Sequence, residues 1–368
     1  MKTLYILGTR GIPAQHGGFE TFAEKLALHL TAQGWKVFVY CQEDSNSSRF
    51  TSQWCDINLI HIPVKRSGAL GSVIFDWKVA LHACGHNGLF ITLGYNTAIF
   101  NTLQLLSKQC NIINMDGIEW RRDKWSAVAK AWFWLNERIG CWIGSHLVAD
   151  HPKIKEHLST RVSNKKITMI PYGGDEVTSA DASYLEQYAL EPNNFSVVIA
   201  RPEPENSILE MVRAFSGSKR NHKLVVLGNF DPSNNSFHSR VIGAASDEVL
   251  FPGAIYSAPI VQALRFFSRF YLHGHRVGGT NPSLVEALGA GCAVIAHDNH
   301  FNRWVAGNEA AYFATEQECS ALFDKLLTND DAVLAMKSAS RLRFEERFTW
   351  DRVLGEYEEL LLKWYPSR

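Results

Sequence analysis

Twice along this 368-residue chain, short segments rich in β-branched and aromatic residues recur with helical stretches between them. That alternation is the pattern of βαβ units wound around a parallel sheet. The first series gives strands at 3–7, 36–41, 59–62, 89–93, 111–115 and 147–149, with an amphipathic stretch at 20–30. The second gives strands at 196–200, 223–227, 249–251, 270–272 and 293–296, and no tandem repeat or low-complexity run interrupts either. The chain therefore reads as α/β, with two doubly wound domains in tandem. The expected divisions are residues 1–170, 171–348 and a terminal segment 349–368. The first boundary falls where turn residues cluster at Pro171, Gly173, Gly174 and Asp175, and a cleft is expected there. Within the last segment, Val353, Leu354, Tyr357, Leu360 and Leu361 have the spacing of one buried helix face, which could pack on either domain.

Composition narrows the function. Thirty-seven basic residues balance 37 acidic ones, and a protein that wraps nucleic acid needs a Lys/Arg excess, so no nucleic-acid partner is expected. The cysteines at 41, 55, 84, 110, 141, 292 and 319 lie singly, without a Cys-x-x-Cys pair, which argues against a structural zinc and for a reducing cytoplasm. No apolar run is long enough to span a bilayer.

Three constellations carry chemistry. The first, between the first strand and first helix, holds Gly8, Arg10, Gly11, Gly17, Gly18 and Glu20. A glycine-lined helix N-terminus offers bare N–H groups and a favourable dipole to phosphate. The glycine spacing does not match the dinucleotide fingerprint, and the second strand ends in Tyr40-Cys41 rather than a carboxylate, so a dehydrogenase is discounted. The alternative is a loop that uses glycine only for turning. The second constellation is Arg201-Pro-Glu-Pro-Glu-Asn206 after a strand. Arg201 can grip a diphosphate bidentately, or it can simply pair with Glu203 or Glu205. The third runs from His273 through His275, Gly278, Gly279, Thr280, Asn281 and Ser283 to Glu286. Backbone N–H groups at 279–281 would meet phosphate or sugar oxygens, and Glu286 would accept from a ribose hydroxyl. The plain alternative makes Glu286 a dipole-compensating residue in the first turn of its helix.

Taken together, Gly8 to Ala14, Gly17 to Thr21, Asn114 to Trp120, Arg201 to Asn206 and Gly278 to Glu286 resemble the retaining GT-B glycosyltransferases of glycosyltransferase family 4. The N-terminus in particular is similar to a rhamnosyltransferase-type subgroup reading G-T-R-G-I-P-A followed by G-G-F-E-T. The resemblance covers essentially the whole chain. It implies two Rossmann-like domains facing across a cleft, the donor nucleotide sugar on the C-terminal one and the acceptor on the N-terminal one. It also implies a last helix that crosses back to the first domain. Gly17 and Gly18 would then contact the donor diphosphate, Arg201 its phosphates and Glu286 its ribose.

Two departures stand out. The family usually carries a glutamate eight residues before the position of Glu286, where this chain has Gly278, and a lysine soon after the position of Arg201. Sugar recognition must therefore differ, with His275 or Arg276 as substitutes, unless the two histidines are strand-end packing. Asp116 stands where relatives often place a histidine facing the transferred sugar. A carboxylate there could orient an acceptor hydroxyl or stabilise charge at the anomeric carbon, although Asp-Gly is also turn chemistry. Glu119 and Arg10 are the reserve and acceptor-side candidates. No metal or other cofactor is expected, since the chain lacks an Asp-x-Asp pair and Arg201 with helix N-termini can neutralise the leaving group.

Five of the 11 tryptophans, at 120, 125, 132, 134 and 142, fall within 119–142 among Arg and Lys residues. On a helix Trp125, Val128, Ala129, Trp132 and Ile139 form the face expected to be buried, and Lys130, Trp134 and Arg138 the other. Such a mixture suits an anionic membrane surface, unless all five tryptophans are packed inside. The expectation is a retaining transferase, cytoplasmic or peripheral on the inner face of the cytoplasmic membrane, moving L-rhamnose from dTDP-rhamnose onto a polysaccharide or lipid-linked oligosaccharide. The rivals are a UDP-glucose or UDP-N-acetylglucosamine donor, a nucleotide-sugar epimerase, and a non-catalytic nucleotide-sugar-binding subunit.

Overall fold

The computed structural model describes residues 1–15, 17–45, 48–66 and 68–365. They form two compact units, Met1–Tyr172 with Trp350–Arg368 and Gly173–Thr349.

The first unit is built on strands β1 (Thr3–Leu7), β2 (Lys36–Glu43), β3 (Phe50–Trp54), β4 (Ile57–Pro63), β5 (Leu89–Leu93), β6 (Cys110–Asn114), β7 (His146–Ala149) and β8 (Ile167–Met169). Their order across the sheet is β3-β4-β2-β1-β5-β6-β7-β8, parallel throughout except for the β3–β4 pair. All five side chains of β5 are buried, as befits a strand covered by helices on both faces. Strand β3 differs. It is polar and lies on an exposed edge, so it has no apolar run to announce it. Its turn uses Cys55 and Asp56, both at positive φ, where a tight hairpin ordinarily advertises itself with Asn-Gly.

The second unit holds β9 (Phe195–Ile199), β10 (Lys223–Leu227), β11 (Val249–Gly253), β12 (Phe270–His273), β13 (Ala293–His297) and β14 (Ala311–Phe313), ordered β11-β10-β9-β12-β13-β14 and parallel. In each sheet the order reverses at one place: beside β1, which pairs with β2 and β5, and beside β9, which pairs with β10 and β12. Open α/β sheets bind ligands just outside the carboxyl ends of strands at such a switch point. The glycine loop follows β1 and the Arg201 segment follows β9.

The helix Trp350–Trp364 belongs to the first unit's core. It buries Trp350, Val353, Leu354, Tyr357, Leu360 and Leu361, each apolar side chain worth about 1.5–3 kcal/mol when fully covered. Tyr357 packs on Phe22 of the helix Gly18–Ala32 with ring centroids 4.6 Å apart, and its hydroxyl accepts from the buried Asn114 Nδ2 at 2.9 Å.

The helix Ala127–Ile143 departs from the face assignment made for it. Val128 is 82% exposed rather than buried, and Trp125 lies before the helix, whose N-cap is Ser126. The residues it buries are Asn136, Glu137, Gly140 and Cys141. Periodicity failed here because the polar residues are the inward ones: Asn136 Oδ1 accepts from the Ile99 N–H at 2.9 Å, and Glu137 takes up Trp120 Nε1 at 2.6 Å, His157 and Arg161.

Candidate active site

In the second unit, the loops after β9 and β12 are tied into one rigid assembly. Asn206, buried, donates from Nδ2 to the Arg201 carbonyl at 2.8 Å and so fixes the turn that presents Arg201. A Cβ on Gly274 would collide with the Asn206 carbonyl oxygen, so only glycine permits this approach of the two loops. Arg276 completes the tie: its N–H donates to the Glu205 carbonyl at 3.0 Å, Nε to Ser207 Oγ at 2.8 Å and Nη2 to Glu210 at 2.7 Å. Arg276 thus clamps the two loops together, with its side chain still partly exposed. Arg201 is exposed and makes no ion pair among the described residues, so the surface pairing with Glu203 or Glu205 does not form.

His275 is half-buried and stacks on His273 with centroids 4.3 Å apart and planes 10° from parallel. His273 is fully buried, neither ring nitrogen has a hydrogen-bond partner, and burial together with its neighbour His275 pushes its pKa well down, so it stays neutral. Strand-end packing therefore accounts for His273, while His275 lies beside the loop that continues to Gly278.

Beyond this stack, Gly278 has φ +140, and a Cβ there would meet nothing within 4 Å. The position eight residues before Glu286 is thus open space. Gly279 is half-buried and Thr280 buried. Asn281 caps the helix Pro282–Gly289 by accepting from the Ser283 N–H at 3.0 Å. Glu286 stands in the second turn, not the first, so it is not a dipole-compensating residue. Its carboxylate pairs with the buried Arg265 at 2.5 Å. Arg265 also donates to Ser283 Oγ at 3.0 Å, and Ser283 Oγ lies 2.6 Å from the Tyr271 hydroxyl. Glu286 is therefore held in place from behind by a buried cation while 38% of its side chain remains exposed. Neither Arg265 nor Tyr271 was singled out by sequence, because each reads as an ordinary helix or strand residue, while Ser283, a member of the third constellation, lies inside the helix that Asn281 caps.

In the first unit, the loop after β1 is pinned by carboxylates of the helix that follows it. Arg10 N–H donates to Glu20 Oε1 at 3.2 Å, and Ala14 N–H to Glu24 Oε2 at 2.6 Å. Gly8 and Gly17 both need glycine: each has positive φ, and added Cβ atoms would collide with the Leu93 carbonyl and the Glu20 carboxylate. Gly17 stands at the N-cap and Gly18 is the first residue of the helix. Arg10 is exposed and reaches Ser72 Oγ at 3.1 Å. On the same side of the sheet, Asp116 follows β6 at φ +50, its N–H bonded to Asn114 Oδ1 at 3.0 Å, so the turn chemistry is real and presents the carboxylate beyond the strand end. Glu119 is already engaged. Its two oxygens accept from Arg122 at 2.9 Å and Trp125 Nε1 at 3.1 Å, which makes it a poor reserve for chemistry.

Asp76 was missed. Half-buried on the helix Gly68–Ala83, it accepts from Thr97 Oγ1 at 2.7 Å, and burial pushes its pKa up to about 6, against the opposing pull of that bond and of Arg10. A lone Asp in a helical stretch carries no sequence signal.

Residues 1–175 match a family model described as Domain of unknown function (DUF1972), and residues 209–359 match one described as Glycosyl transferase-like. No curated protein matches the chain. Among solved structures, a sucrose-phosphate synthase from Thermosynechococcus elongatus aligns with TM-score 0.81 at 15% identity, covering 99% of both chains. HepE from Anabaena, in complex with UDP and glucose, aligns at 0.76 and 13%, covering 99% of this chain and 100% of its own. An α,α-trehalose-phosphate synthase (UDP-forming) from Burkholderia vietnamiensis aligns at 0.72 and 9% over 99% of this chain and 100% of its own. At such identities the likeness establishes the fold, which is GT-B. A glycosyl transferase-like domain carried on that fold defines the class: the chain is a GT-B glycosyltransferase.

Proposed function

We propose that the chain transfers L-rhamnose from dTDP-rhamnose to a polysaccharide or lipid-linked oligosaccharide with retention of configuration, as a member of the rhamnosyltransferase-type subgroup of family 4. The observation that carries the reading is the gathering of Arg201, the 278–281 backbone and Glu286 at the carboxyl ends of the adjacent strands β9 and β12. In this account Arg201 grips the diphosphate, the N–H groups at 279–281 meet its oxygens, and Glu286, braced by Arg265, accepts from the ribose. Gly17 and Gly18 bring further N–H donors to the diphosphate, and His275 touches the sugar in the space that Gly278 leaves.

The bond from the anomeric carbon to the departing phosphate oxygen breaks with its electron pair going to that oxygen. The acceptor oxygen bonds to the same face of the carbon, and its proton passes to the leaving phosphate. Asp116 orients the acceptor hydroxyl and stabilises charge at the anomeric carbon. Arg10 lies on the acceptor side. Charge neutralisation by Arg201 and helix N-termini makes the reaction independent of added metal.

One observation favours a second donor. HepE is described with UDP and glucose and the trehalose-phosphate synthase as UDP-forming, so a UDP-hexose is the competing reading. The experiment is a transfer assay in EDTA with dTDP-rhamnose, UDP-glucose and UDP-N-acetylglucosamine over a set of saccharide acceptors, the product anomer read by NMR. Rhamnosyl product with the donor's configuration supports the proposal. Transfer only from UDP-sugars moves the donor, an inverted product removes the mechanism, and binding without turnover makes the chain a non-catalytic subunit. Among the described residues no helix is long and apolar enough to cross a membrane. We place the reaction in the cytoplasm, at the inner face of the cytoplasmic membrane, where a lipid-linked acceptor would lie.

A further inference from the structure

The first unit exposes large apolar side chains on three neighbouring helices. Trp77 and Leu81 project from Gly68–Ala83, Leu105 and Leu106 from the short helix Thr102–Leu106, and Leu135 and Trp142 from Ala127–Ile143. Leu106 is 78% exposed and Trp142 65%. The three helices adjoin around the turn Ala98–Asn101: Trp77 packs edge-on against Phe100 with centroids 5.2 Å apart, and Trp132 Nε1 donates to the Asn96 carbonyl at 2.8 Å.

The helix Ala127–Ile143 is inverted relative to an ordinary surface helix. Val128, Leu135 and Trp142 recur every seven residues on its exposed face, whereas Asn136 and Glu137 point inward. A soluble protein gains nothing from that arrangement in water, because each exposed apolar group forgoes burial.

The charges around the patch are predominantly basic. Between residues 65 and 143 there are nine Lys and Arg and five Asp and Glu. Of the acids, Asp76, Glu119 and Glu137 are turned to Thr97, to Arg122 and Trp125, and to Trp120, His157 and Arg161, Asp116 sits in the turn after β6, and Asp123, itself exposed, lies 3.6 Å from Lys130. Lys65, Arg66, Lys78 and Lys108 are exposed, and the Arg138 guanidinium lies 3.4 Å from the centre of the Trp134 ring, an amphipathic pair suited to the boundary between headgroups and acyl chains. Apolar side chains ringed by cations are complementary to an anionic bilayer, which offers both a hydrocarbon boundary and negative headgroups.

We infer that these three helices together form a docking surface for anionic lipid, with Leu106, Leu135 and Trp142 inserting at its surface and the flanking cations meeting the headgroups. The sequence pointed to 119–142 alone. The helices at 68–83 and 102–106 extend the contact, and the inserted stripe is Val128, Leu135 and Trp142 rather than the Lys130, Trp134 and Arg138 face. The inference rests on the membrane location proposed above, but not on the identity of the donor.

The test is sedimentation of the full chain with vesicles of phosphatidylcholine alone or mixed with phosphatidylglycerol, at low and physiological salt, with the dTDP-rhamnose melting shift measured on the same samples. The wild type is expected to bind only the phosphatidylglycerol vesicles and to be weakened by salt. Leu135→Glu with Trp142→Glu should lower partitioning by about a hundredfold, and Leu106→Glu by about tenfold, each with an unchanged nucleotide-sugar shift and melting temperature. Absence of binding at low salt overturns the inference, as does binding that the double variant leaves intact. So does a wild-type dimer that the double variant converts to monomer, since a second copy would then be the occupant. If the nucleotide-sugar shift is missing while vesicle binding and its loss are seen, the donor reading has failed and the surface stands.

Discussion

The loops after β1 and β9 are the two units' counterparts, each leaving the sheet where strand order reverses, yet they are held in different ways. The β9 loop is clamped from a neighbouring loop by Arg276 and the close approach at Gly274 and from within by Asn206, and Arg201 at its surface makes no ion pair among the described residues. The β1 loop is pinned by carboxylates of its own following helix, Glu20 and Glu24. A cation held ready on a braced loop is the equipment for a fixed diphosphate. A glycine loop already shared with carboxylates is less welcoming to anions, which is why the proposal gives Gly17 and Gly18 a smaller share than Arg201.

The largest expected effect tests that contrast on the second unit. Arg201→Ala should lower turnover by about a hundred- to a thousandfold in single-turnover transfer assays, with little change in melting temperature because the side chain is exposed. Gly17→Ala should cost less than that in turnover, and an equal loss would erase the difference between the loops. Gly274→Val should unfold the brace itself. Its Cβ meets a backbone oxygen, so stability should fall by about 3 kcal/mol or more in urea titration. Asp116→Asn should reduce kcat by about tenfold to a hundredfold while leaving donor binding unchanged, which places it with the acceptor rather than the diphosphate.

The smallest effect concerns Asp76. Burial raises its folded pKa to about 6, above the ordinary carboxylate value, so the fold favours the protonated form. Its contribution to stability is therefore present at low pH and is lost as pH rises through about 6. Asp76→Asn should raise the melting temperature by about 2–4 °C at neutral pH, with the gain vanishing below about pH 4 in a calorimetric pH series.

The buried parallel strands were legible because a strand covered on both faces must be apolar along most of its length, as β1, β5, β9 and β12 are, each with one polar residue. Strands β3, β8 and β14 were not, the first because it is polar and at an edge, the others because they span three residues. Legibility in the candidate site followed the same division. Glycines and cap chemistry announced Asn281 and Glu286, and its place directly after a strand announced Arg201. The partners that position them, Arg265 to Glu286 and Arg276 to Ser207, are 21 or more residues distant and have no local pattern. The helix Ala127–Ile143 shows the reverse failure. Its apolar period was visible, but which face was inside depended on where Asn136 and Glu137 find partners, and those lie on other segments.

The central claim, that the second unit's braced loops hold a nucleotide-sugar donor through Arg201, is tested most directly by one titration. Melting temperature is followed against dTDP-rhamnose in EDTA for the wild type and Arg201→Ala. A ligand at about a hundred times its Kd should stabilise the native protein by about 2.7 kcal/mol, and the account predicts a saturable shift in the wild type that is largely lost in the variant. No shift with dTDP-rhamnose or any UDP-sugar, or an equal shift in both proteins, would contradict it.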